Sequence, residues 1–89
     1  MSSFERLATE LMRRHAPEGF GVDFTSFSRK GNVVTLSGAL PRTMHFGVIT
    51  LDLDSGVVTF VDEDHRDGGD DLLRRVTLTA EELEALRRA

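Results

Sequence analysis

The chain has 89 residues, a formal net charge of −4, no cysteine, no tryptophan and no tyrosine. That length fills one hydrophobic core and not two, so residues 1–89 read as a single domain. Without cysteine there is no disulfide and no thiolate to act as nucleophile or metal ligand, and the acidic balance counts against a nucleic-acid partner, which calls for a basic face.

The first twenty residues include Glu5, Arg6, Glu10, Arg13 and Arg14 and hold no seven-residue apolar run. They do not resemble a secretory signal or an acid-poor transit peptide. Nowhere does an apolar stretch approach the roughly 20 residues that span a bilayer. The expectation is a cytoplasmic chain with no membrane partner.

"SSFERLATELMRRHAPEG" opens the chain. Phe4, Leu7, Ala8, Leu11, Met12 and His15 recur at helical spacing and form one apolar face. Ser2 with Glu5 makes a capping-box pattern, Arg13 and Arg14 suit the negative end of the dipole, and Pro17 and Gly19 end the helix.

The period then changes to two. "GFGVDFTSFS", the turn "RKGN" and "NVVTLSGAL" read as a β-hairpin. Its second strand sets Val34, Leu36 and Leu40 on one face and Val33, Thr35, Ser37 and Ala39 on the other. "MHFGVITLDLD" and "VVTFVDE" form a second hairpin around "DSG", with Gly56 at a left-handed position. Near the C-terminus Val76-Thr77-Leu78 reads as a fifth strand, with one helical turn over Asp71 to Val76 as the alternative. Thr79 with Glu82 is a second capping box, opening a short helix that turns Leu83 and Leu86 inward.

The predicted fold is α+β. An N-terminal helix packs on an antiparallel meander sheet of four to five strands, and a short C-terminal helix follows. Both faces of this sheet are apolar. Val34, Leu36, Val58 and Phe60 share one face, leaving Val33, Val57 and Val61 on the other. Within the third strand, Met44, Phe46 and Val48 oppose Ile49, Leu51 and Leu53 only after a change of phase near residue 48, where a bulge would be ordinary. The second face calls for a cover: the C-terminal helix, a second copy of the chain, or another protein.

The densest chemistry lies in "FVDEDHRDGGDD", Phe60 to Asp71, which holds six acids and one arginine, a charge of −5. The remainder has nine acids against ten basic residues, or +1. Asp62, Asp64 and Asp67 are the candidate metal ligands, because hard cations require several carboxylates. No register of the segment meets the EF-hand pattern, however. Starting at Glu63, the third position is His65 and the twelfth is Arg74. Nor do His15, His45 and His65 stand at a recognisable zinc spacing. His65 beside its aspartates is the candidate acid–base group, but no nucleophile elbow, P-loop or dinucleotide fingerprint accompanies it.

The segment therefore reads as a flexible acidic loop. The function expected is non-catalytic binding through protein–protein contacts, as a homodimer or as an inhibitor- or immunity-type protein, with no cofactor. Its expected contact residues are Asp62, Glu63, Asp64, His65, Asp67, Val33, Val57 and Val61. The alternative is a divalent-cation-binding or histidine-dependent small enzyme centred on residues 62–71.

Overall fold

The computed structural model describes residues 2–18, 20, 24–40, 45–64 and 69–89, and at 24, 25 and 64 it describes the backbone alone. Helix α1 spans Ser3–Arg14, followed by strands β1 (Phe24–Lys30), β2 (Val33–Leu40), β3 (His45–Asp52), β4 (Val57–Asp64) and β5 (Gly69–Thr77), and helix α2 (Ala80–Arg88). The strands form one open antiparallel sheet in the order β1-β2-β3-β4-β5. The α+β architecture is the one that the change of period predicts, and the sheet has five strands.

Local chemistry sets the element ends. Ser2 Oγ accepts from the Glu5 N–H at 3.1 Å to start α1. At the start of α2 the box is reciprocal: Thr79 Oγ1 accepts from Glu82 N–H at 3.1 Å, and Glu82 Oε1 accepts from Thr79 N–H at 2.9 Å. In the β3–β4 turn, Asp52 Oδ1 accepts from the backbone of Asp54 and Ser55, while Gly56 takes φ +76°. That left-handed conformation suits a residue without Cβ.

One core holds the chain together. Val34, Leu36, Ile49, Leu51, Val58 and Phe60 cover one sheet face and pack with Ala8, Leu11 and Met12 of α1 and Leu86 of α2. Both helices therefore lie on the same side of the sheet, and α2 does not cover the second face. It is drawn to the first by Leu86, 1% exposed, and by polar contacts of Glu82 with Arg14 and His15 at the end of α1.

Three sequence expectations need correction. No bulge interrupts β3: its register with β2 runs unbroken from Val33↔Asp52 to Leu40↔His45. Ile49 and Leu51 face the core while Phe46 and Val48 face the other way. The register shifts lie instead between Phe24 and Ser26 in β1 and beside Leu73 in β5. Second, β5 begins at Gly69, well before Val76. Third, the acidic segment is largely ladder and not loop. Asp62, Glu63 and Asp64 belong to β4 and pair with Asp71, Asp70 and Gly69.

Candidate functional site

Four rows of side chains cross the sheet face that points away from the helices. Lys30, Val33 and Asp52, with Val57 and Thr77, lie at the end carrying the β1–β2 and β3–β4 turns. Next come Ser28, Thr35, Thr50, Thr59 and Arg75, in which the Thr50 and Thr59 hydroxyls hydrogen-bond to each other. The third row is Ser26, Ser37, Val48, Val61 and Leu72, and the fourth holds Ala39, Phe46, Glu63 and Asp70. No described element lies over this face. Leu72 is 59% exposed and Val33 43%, while Val48, Val57 and Val61 are half-buried among their neighbours.

The structure thus divides the contact residues expected from the sequence. Val33, Val57, Val61 and Glu63 share the uncovered face. Asp62 points to the helix side, and His65 and Asp67 lie outside the described residues, as does the side chain of Asp64. The sequence reading missed Leu72, because a strand was not expected there, and it missed the Val48–Val61–Leu72 row for the same reason.

Acids face acids across β4 and β5 in the Asp62↔Asp71 and Glu63↔Asp70 pairs. Like charges directly opposite one another are unfavourable. On the helix side, Asp62 has a histidine beside it: His45 Nδ1 lies 2.7 Å from Asp62 Oδ1, the His45 side chain being 30% exposed and that of Asp62 17%. Asp62 sits across from Gly47, so His45 reaches it diagonally. The carboxylate orients the imidazole ring. The histidine that this structure joins to an aspartate is therefore His45; the sequence reading chose His65. Counting the β3–β4 register back from the "DSG" turn is the signal that finds it.

Among the described residues, no group of three or more histidine, aspartate or glutamate side chains is arranged to hold a metal ion. No described helix is long and apolar enough to cross a membrane. Comparison with protein-family models, with curated proteins and with solved structures finds no match for this chain.

Proposed function

We propose that this is a non-catalytic binding protein whose working surface is the uncovered face of the sheet, and that a second copy of the chain covers it. One observation carries the reading: both helices pack on the same side, so the Val48–Val61–Leu72 row faces solvent. A half-exposed antiparallel sheet ordinarily alternates apolar-in with polar-out. Here the outward positions keep valines, a phenylalanine and a leucine.

The area suits a dimer. Five strands about 4.8 Å apart and eight residues long at about 3.4 Å each give a face of about 650 Å². Two such faces bury about 1,300 Å², within the standard class of specific interfaces. The charges are also self-complementary. Glu63 and Asp70 stand at one end of the face, and Lys30 and Arg75 stand toward the other. Asp52, at that second end, already accepts two backbone N–H bonds. A two-fold axis lying across the strands sets the acidic end of each copy over the basic end of its partner.

Sedimentation over a concentration series tests this reading. The expected result is a monomer–dimer equilibrium that Val61→Glu shifts to monomer without changing the far-ultraviolet circular dichroism. A monomer at all concentrations overturns it.

The His45–Asp62 contact favours a second reading, histidine or divalent-cation chemistry at the acidic end. Amide titration with calcium, magnesium and zinc separates the two. Saturable shifts at residues 62–71 support the second, and flat responses remove its metal form. His45→Gln leaves self-association intact under the first.

A further inference from the structure

At the end of the sheet remote from the acids, the start of α1, the end of α2 and the two hairpin turns enclose a cleft of about 250 Å³. Phe4, Leu53 and Leu86 give it apolar walls, and Arg29, Arg87, Asn32 and Asp54 supply its polar groups. We propose that this cleft binds a small organic carboxylate bearing an apolar group, held by the two guanidinium groups. The site is separate from the sheet face and does not depend on self-association.

Both arginines are positioned but not neutralised. The Arg29 guanidinium lies 4.6 Å from the centre of the Phe4 ring, and its Nε donates to the Gly31 carbonyl at 3.2 Å. Arg87 Nη2 reaches the Leu53 carbonyl at 3.5 Å. These contacts leave Nη1 and Nη2 of Arg29, and Nε and Nη1 of Arg87, without an acceptor among the described residues. No carboxylate comes within 4.0 Å of either guanidinium among those residues. In this acidic chain the arginines Arg14 and Arg88 do form such pairs.

Among the described lining residues Asp54 has the one acidic side chain, and Asn32 Nδ2 donates to its Oδ2 at 2.9 Å. The second carboxylate of the lining is the main-chain terminus of Ala89, which stands more than 4.0 Å from both guanidinium groups, so neither arginine is ion-paired. The acidic end does not cancel their charges. It lies at the far end of β4, about 24 Å away at ~3.4 Å per residue, which is several Debye lengths at physiological ionic strength.

The chemistry of the walls selects the ligand class. A guanidinium fork matches the two oxygens of a carboxylate, and arginine is less strongly hydrated than lysine and tolerates a partly apolar site. Phe4, Leu53 and Leu86 reward an apolar group attached to that carboxylate. Inorganic phosphate fits the charges but leaves those walls in contact with water.

The test is an amide chemical-shift titration of the full chain with benzoate, benzyl alcohol and inorganic phosphate at constant ionic strength. Benzoate is expected to give saturable shifts by about 10 mM at Phe4, Arg29–Asn32, Leu53–Asp54 and Leu86–Ala89. Arg29→Gln and Arg87→Gln are each expected to weaken it at least tenfold, with the spectrum otherwise that of the folded chain. Arg29→Lys restores less than Arg29 itself provides. Val61→Glu leaves the titration unchanged, so failure of the sheet-face reading does not bear on this site. Absence of saturable benzoate shifts overturns the proposal. So do equal responses to benzyl alcohol, which carries no charge, or to phosphate, which has no apolar group.

Discussion

His15, the C-terminal cap of α1, places its Nε2 3.2 Å from Oε2 of Glu82 in the first turn of α2. The same carboxylate lies 3.5 Å from Arg14, and the His15 carbonyl accepts from Arg74 of β5 at 2.9 Å. Glu82 thus caps its own helix and ties it to the end of the other, which holds both on one side of the sheet.

The Glu82 carboxyl is held below its ordinary pKa, first by the Thr79 backbone N–H, with burial opposing and the His15 hydrogen bond adding to the effect. A pKa depressed on folding means that the ionised form stabilises the native state. That stability is present above the unfolded value, about pH 4.3, and is lost as the pH falls through the folded value. Glu82→Ala is expected to cost about 1–2 kcal/mol at pH 7, in the range of a lost helix cap. The difference from the parent should shrink below about pH 4. Urea denaturation at a series of pH values measures it, and a difference constant from pH 7 to pH 3 would remove the carboxylate's role.

Gly47 faces the core where any Cβ would stand 2.9 Å from Leu40 Cδ2 and 3.1 Å from Phe20 Cζ. Both neighbours are buried, at 4% and 2% exposure. Gly47→Ala must therefore push a packed ring or leucine aside, at about 1–3 kcal/mol. A better strand former would otherwise stabilise a strand interior. Thermal melts of Gly47→Ala should show a lowered midpoint, and an unchanged or raised one would mean that Leu40 and Phe20 yield freely.

Phe20 and Phe60 meet edge to face, their ring centres 5.7 Å apart at 87°. Phe60 is fully buried in the middle of β4. Phe60→Ala should cost about 3–5 kcal/mol, which is much of the ~4–13 kcal/mol expected of a chain this size. We expect a largely unfolded variant by circular dichroism at 37 °C, and Phe60→Leu to remain folded with a lower midpoint.

On the open face, Glu63→Gln with Asp70→Asn should weaken self-association about fivefold at low salt, corresponding to ~1 kcal/mol for exposed charges. The effect should fade at high salt. Leu72→Lys should weaken it more, and at every salt concentration, because it removes apolar area. Sedimentation at two ionic strengths distinguishes the two. Identical salt dependence in parent and double variant would remove the end-to-end charge pairing.

Much of the fold was legible in local patterns. The stripe from Phe4 to Met12 became the buried face of α1, and alternation placed Val34 and Leu36 inward and Val33 outward. Strand β5 was not legible over Gly69 to Arg75, since "GDDLLRR" has neither alternation nor strand propensity. Its backbone is ordered by the ladder with β4, and Leu73 is left over at a register shift. The diagonal reach of His45 to Asp62 was implicit in the turn but needed the pairing to be counted.

The sequence by itself determined the two helices, the first four strands and their order, because caps, turns and periodicity are properties of near neighbours. Only the tertiary structure decided which face of the sheet α2 takes. An amphipathic helix specifies that one side must be buried but not against what. Leu86 and the Glu82–His15 contact settle that question. They leave Val61 and Leu72 on the open face and bring Arg29 and Arg87, 58 positions apart in the chain, to the walls of one cleft.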